Sequence, residues 1–167
     1  IIIRFTKVEM KEPLVIRKGM RSDVDGLCAI ERACFSVPWS REALLSDMTD
    51  NPNAMYFVAE LSGEIIGYAG VWKIMDEGHI NNVGVLPRFR NRKIGKTIMK
   101  TLLDITESQG IKSHTLEVRE SNKAAISMYE KLGFQSVGKR TGYYEDNGEA
   151  AIIMWRIGDP GRRGEES

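Results

Sequence analysis

The chain has 167 residues, 42% of them hydrophobic and 28% charged, with a formal net charge of +1. That length suits one domain with a substantial core, and the composition is ordinary for a soluble globular protein. The near-neutral balance gives no global reason to expect nucleic acid or an anionic membrane as a partner, so any basic patch has to be local.

No apolar run approaches the roughly 18 residues that span a bilayer. Ile1-Ile2-Ile3 is too short for a secretory apolar region and runs straight into charge. Cys28 and Cys34 stand six apart on one predicted helix and point in different directions. Two free thiols suit a reducing cytoplasm.

In chain order, residues 1–13 form an extension without an assigned element. Leu14 to Lys18 reads as a first strand, broken at Gly19. Ser22 and Asp25 form a capping-box-like start. The helix that follows has Val24, Leu27, Cys28, Ile30, Glu31, Cys34 and Phe35 on one face and ends at Pro38. Ser40 is an N-cap for a short helix over 41–48, carrying Leu44, Leu45 and Met48.

Met55 to Leu61 and Glu64 to Ile74 read as strands joined by a tight turn at Ser62-Gly63. A second turn is expected at Asp76-Glu77-Gly78, and then a strand from His79 to Leu86. A long helix over about 92–108 buries Ile94, Ile98, Leu102 and Ile105, and Gly110 stops it. Ser113 to Arg119 is a strand. Ser121 or Asn122 caps a helix bearing Ala125, Met128, Tyr129 and Leu132, closed by Gly133.

Phe134 to Gly138 and Ala150 to Arg156 are the last strands, with the polar loop 145–149 between them. From 158 to 167 Gly, Pro and charge dominate, which reads as a flexible tail. The expectation is a single domain over 14–157. It is α/β (α+β), with about seven strands in a mixed, mostly antiparallel sheet and about four helices.

The most informative stretch runs from Val83 to Lys96. A strand ends at Pro87, a basic loop follows, and a helix opens near Ile94. Free N–H groups and the positive end of a helix dipole then lie beside Arg88, Arg90, Arg92, Lys93 and Lys96, as a polyphosphate cradle requires. A solvated helix start with some affinity for nucleic acid is the alternative that the same residues allow.

Three stretches together resemble the GNAT acetyltransferase superfamily, on its RimI-type branch. They are Asp76 to Val85 running into the basic loop, Leu116-Glu117-Val118-Arg119-Glu120-Ser121-Asn122 continuing to Tyr129-Glu130-Lys131-Leu132-Gly133-Phe134, and Gly142-Tyr143-Tyr144. A weaker fourth is Phe35-Ser36-Val37-Pro38-Trp39-Ser40. The resemblance implies a GNAT fold, acetyl-CoA as co-substrate, no metal, and a primary amine as acceptor. For this branch the acceptor is the N-terminal alanine of a small-subunit ribosomal protein. With the free thiols and the near-neutral charge, the expectation is a cytoplasmic enzyme with no direct nucleic-acid or membrane partner.

By the same resemblance, Val83, Gly84 and Val85 offer backbone to the pantetheine arm. Arg90, Asn91, Arg92, Lys93, Ile94, Gly95 and Lys96 cradle the pyrophosphate, and Asn122 bonds the arm. Lys93 stands where the family has a glycine. First-turn helical dihedrals suit any residue, so cofactor binding is expected to survive. Glu117 matches the family's general base and Tyr129 its general acid, although spacing alone reads them as a solvent-facing carboxylate and a core aromatic. Tyr143, Tyr144 and Trp39 are expected either to wall the acceptor groove or to form a satellite hydrophobic cluster. His79 stays outside this set.

An α-amine has a pKa of about 7.7–8.0 against about 10.4 for lysine. The gap of ~2.5 units is ~3.4 kcal/mol in the cost of forming neutral amine at pH 7. A carboxylate acting through water therefore suits an N-terminal amine better than a lysine. The alternatives are another protein N-terminus, a small-molecule amine, or a CoA-binding module without turnover. With His79 and His114 the only histidines and no ligand spacing, a metal site is not expected.

Overall fold

The computed structural model describes residues 4–6 and 13–158. The elements run β1 (Arg4–Thr6), β2 (Leu14–Lys18), α1 (Val24–Cys34), α2 (Arg41–Asp50), β3 (Ala54–Leu61) and β4 (Glu64–Ile74). They continue with β5 (Glu77–Val85), α3 (Ile94–Ser108), β6 (Ser113–Arg119), α4 (Lys123–Lys131), β7 (Gln135–Arg140) and β8 (Ala151–Ile157). All seven expected strands and four expected helices form. Arg4–Thr6 adds an eighth strand within the stretch read as an extension, paired antiparallel to β2. The expected tail lies outside the described residues apart from Gly158, whose N–H donates to Lys112 O at 2.8 Å.

One sheet carries every described strand, in the order β1-β2-β3-β4-β5-β6-β8-β7. Among the described residues β5 and β6 make the one parallel pair, and the long α3 provides their crossover. Helices cover both faces, and β4 shows which. A Cβ on Gly67 would meet Ile98 of α3, whereas the hydroxyl of the next residue, Tyr68, donates to Glu31 of α1. The alternation that sends neighbouring side chains to opposite faces thus puts α3 on one side of the sheet and α1 with α2 on the other. The core fills both layers, with Leu27, Ile30 and Leu44 on one side and Ile98, Met99 and Leu102 on the other, all fully buried.

Local chemistry departs from expectation at three places. A 3-10 turn over Arg21–Asp23 precedes α1, and Asp23 rather than Asp25 reaches back, accepting from Met20 N at 2.7 Å. The β4–β5 turn is Met75-Asp76, since Ile74 pairs with Glu77; Met75 takes φ 57. The α3 helix starts at Ile94, because Lys93 is left-handed, with φ 60 and ψ 18. The expected first-turn helical dihedrals at Lys93 are therefore incorrect. At Ser62-Gly63 both φ values are positive, 50 and 80, as a type I′ hairpin demands.

Candidate active site

The site begins with a miscount in β5. The β4–β5 register steps from Gly70↔Asn82 to Val71↔Ile80, which leaves Asn81 as a bulge. A bulge adds a residue, bends its strand and increases local twist. Past it β5 leaves β6. The parallel pairing holds from Glu77↔Ser113 to Ile80↔Leu116 and then stops. Meanwhile β4–β5 pairing continues to Gly67↔Val85, and β6–β8 pairing continues to Arg119↔Ala151. Two strands held on their outer sides and released on their inner ones enclose a wedge, with residues 82–85 on one wall and 117–119 on the other.

The wall on β5 is main chain. Leu86 N donates to Ile66 O at 2.8 Å, so every second residue back along β5, Gly84 and Asn82, spends its peptide on β4. Val83 and Val85 direct theirs at the wedge. The Val85 carbonyl accepts there from Cys34 Sγ and Arg90 Nε, each at 3.3 Å. Gly84 works differently from its neighbours: a Cβ on it would lie 2.8 Å from Ile30 Cγ2, so its bareness lets α1 close onto the strand. An amide-bearing arm laid in the wedge would find the Val83 peptide group and the Val85 N–H to pair with, as an added strand does.

At the wide end of the wedge the chain turns through a 3-10 segment, Pro87–Phe89, into residues 90–93. Asn91 and Lys93 are both left-handed, with φ 63 and φ 60. The first intrahelical bond of α3 is Thr97 N to Lys93 O, 3.0 Å. The N–H groups of residues 94–96 are thus the orphan donors of the helix start. The alternating backbone before them forms a concave nest of the kind that holds anions. Around it Arg88 pairs with Glu64, Arg92 lies 5.7 Å from the Phe89 ring centroid, and Arg90 folds back on Val85. This donor set fits a pyrophosphate joined to an amide-rich arm.

The opposite wall carries the side chains. In β6, His114, Leu116 and Val118 are buried while Thr115, Glu117 and Arg119 share the other face. Glu117 is 30% exposed; its carboxylate pairs with Arg140 Nε at 3.3 Å and stands beside the Tyr143 hydroxyl. That carboxylate first, and burial second, push the Tyr143 phenol up to about 12. His79 pairs with Thr115, so it stands on the Glu117 face, bonded to Glu77 Oε2 at 3.0 Å.

Asn122 caps α4, its side-chain oxygen accepting from Ala125 N at 3.2 Å. Tyr129 is the one buried residue of that helix, edge-on to Phe134 at 5.9 Å. Burial, and then Tyr144, hold its hydroxyl above the usual phenol range. Trp39 lines a hollow of about 400 Å³ with Asp47 and Pro52.

Sequence reasoning passed over the polar groups that hold these parts. Glu31, buried beneath the wedge, accepts from Tyr68, from Asn82 Nδ2 at 2.9 Å and from Trp39 N at 3.0 Å. It ties the α1–α2 loop to β5. A glutamate among apolar helix positions was the available signal. Asp47 does the same for Tyr56 and for Trp72 Nε1, the latter at 3.0 Å. Nothing in the sequence marked Arg140.

The family model described as the acetyltransferase (GNAT) family matches residues 24–134. The chain belongs to the GNAT acetyltransferase family. It is an N-acetyltransferase of the RimI type. A Bacillus subtilis protein provisionally named [ribosomal protein bS18]-alanine N-acetyltransferase is 36% identical over 146 residues, 87% of this chain and 97% of that one. The Escherichia coli K12 [ribosomal protein bS18]-alanine N-acetyltransferase is 32% identical, over 80% of this chain and 90% of its own. The crystal structure of the ribosomal-protein-S18-alanine N-acetyltransferase from Escherichia coli superposes with a TM-score of 0.80. It is 30% identical and covers 86% of this chain and 93% of that one. Acetyl-CoA is the donor this family uses. Among the described residues of the enzyme, no helix is long and apolar enough to cross a membrane.

Proposed function

We propose that this enzyme transfers acetyl from acetyl-CoA to a protein N-terminus, the N-terminal alanine of a small-subunit ribosomal protein, in the cytoplasm. The observation that carries the reading is the wedge between β5 and β6, with the peptide of Val83 and the N–H of Val85 turned into it on one wall and Glu117 on the other. The acceptor is supported by the activity for which the relatives are named and by the fit between a carboxylate base and an α-amine.

In this reading the nest over residues 90–96 binds the pyrophosphate, mostly through N–H groups. Val83 and Val85 align the arm, with Asn122 beside it. Acetyl-CoA supplies the thioester; both substrates are bound together and the amine attacks directly. An N–C bond forms and the C–S bond breaks. Glu117 receives the amine proton through water. Tyr129 directs its O–H at the sulfur. Its raised pKa keeps that proton in place at working pH. Against a thiol near 8.5 full transfer is uphill, so its first task is to hydrogen-bond the developing thiolate and the proton follows as the product leaves. No step calls for a metal.

The direct test incubates purified protein with acetyl-CoA and a peptide beginning with alanine, and follows mass gain and thiol release. A gain of one acetyl group at the α-amine is expected. Acetylation of polyamines or lysine side chains in preference to that peptide would refute the acceptor assignment.

A further inference from the structure

Arg119 lies two residues beyond Glu117 on the same face of β6, and it organises the loop over 141–150. Its guanidinium donates to Asp146 Oδ2 at 2.8 Å, to Glu149 Oε2 at 3.2 Å and to Asn147 Oδ1 at 3.3 Å. Its Cζ sits 4.0 Å from the centroid of the Tyr144 ring. The loop is further held by Ser121 N on Glu149 Oε1 at 2.7 Å; the Ser121 hydroxyl first and that N–H second pull the Glu149 carboxyl down to about 2. Asp146 then reaches across to the loop after α1, where Ser36 Oγ donates to its Oδ2 at 2.6 Å. One planar cation thus ties three side chains and an aromatic face into a strap that ends on the far side of the groove. Tyr143, the residue beside Glu117, rides on that strap, with its ring 5.0 Å from Tyr144.

We propose that Arg119 is a positioning residue for the acceptor amine: through Asp146, Glu149 and Tyr144 it holds Tyr143 beside Glu117, and the Ser36–Asp146 bond fixes the mouth through which the peptide enters. This rests on the acetyl-transfer reading of the site. The geometry makes the effect one-sided. Every strap contact lies on the β6 and β7–β8 side of the wedge or on the α1–α2 loop, and none touches residues 83–96. Loosening it therefore weakens the acceptor step and leaves the donor step alone. Lysine cannot stand in, because a point charge cannot serve three acceptors in a plane and stack at the same time.

The test compares wild type with Arg119→Gln, Arg119→Lys and Ser36→Ala. KM is measured separately for acetyl-CoA and for an alanine-first peptide, alongside amide hydrogen exchange over 142–149. Both Arg119 variants are expected to raise the peptide KM about tenfold or more with the acetyl-CoA KM within about twofold, and to speed exchange at Tyr144 and Gly148, whose N–H groups are bonded inside the loop. Ser36→Ala, which cuts only the latch, is expected to show a smaller rise of the same kind. Unchanged exchange in the loop, or a parallel rise of both KM values, overturns the proposal. Exchange needs no turnover, so it decides the strap even if the wild type acetylates nothing, the result that would sink the acetyl-transfer reading instead.

Discussion

His114 offers the sharpest quantitative check on the fold that carries the site. It is 0% exposed, under the parallel β5–β6 junction opposite Gly78. Thr106 Oγ1 donates its proton to Leu102 O at 2.7 Å and lies 2.7 Å from His114 Nε2. With that proton on Leu102 O, the ring hydrogen is assigned to Nε2, which leaves Nδ1 as a bare buried lone pair. A second proton there would be an unpartnered charge in a dry site near Arg156. Burial first and Arg156 second accordingly bring the imidazole from 6.5 down to about 4.

The unfolded chain binds that proton as pH falls below its ordinary value and the folded chain does not, so stability is lost on acidification. Linkage gives about 2 kcal/mol lost between pH 7 and pH 5, and about 3 kcal/mol once pH passes below the folded value. Urea melts at pH 7, 6 and 5 would read this as a midpoint shift of about 1 M for a domain of this size. His114→Gln retains a donor toward Thr106 and cannot titrate, so its melts should lose about 2 kcal/mol less over the same interval. Parallel curves for the two proteins would refute the argument. If the variant folds poorly, the wild-type imidazole resonances decide the matter: those of His114 should stay fixed from pH 7 to pH 5.

Glu117→Gln and Tyr129→Phe should each lower kcat by about a hundredfold or more while acetyl-CoA affinity, by calorimetry, stays within about threefold; wild-type turnover in either removes that residue's role. Lys93→Gly should leave the fold as stable or raise it by up to about 1 kcal/mol, since the left-handed backbone costs a side chain about 1–2 kcal/mol and glycine returns part of that as chain entropy. Its acetyl-CoA Kd should rise no more than about threefold, the reach of one screened surface charge, and a tenfold loss would mean that the side chain itself grips phosphate. Gly84→Ala should cost about 1–3 kcal/mol in a urea melt by overpacking against Ile30. Adding Ile30→Ala should cost less than the two single changes summed, and simple additivity would count against the clash.

The helices and strands were legible because their signals are local. Ser62-Gly63 between two apolar runs marked a tight hairpin turn, and the caps at Ser40 and Asn122 are the residues that bond Ala43 N and Ala125 N. Motif spacing brought Glu117 and Tyr129 to the correct elements. What escaped was non-local or conformational. Lys93 carries no mark of a left-handed backbone, because the cradle's geometry imposes it against the residue's own preference. Met75 escaped for the same reason, and the turn was misplaced by a residue or two as a result. The Arg119 strap needs residues 36, 119 and 146 to meet, and no period in the sequence encodes that meeting. Arg4–Thr6 becomes a strand only because β2 presents an edge for it to join.

The bulge at Asn81 acts like a frameshift. In a chain that alternates sides, one extra residue exchanges inside for outside for everything downstream: Ile80 lies on the α3 face, and so do Val83 and Val85, at odd rather than even positions. The opening between β5 and β6 is thus written in residue number rather than in residue kind. Replacing the exposed Asn81 side chain should leave it open. Deleting the residue would put Val83 and Val85 back in phase with Ile80 and let β5 run flush against Glu117, closing the cleft without altering a single group that the chemistry uses.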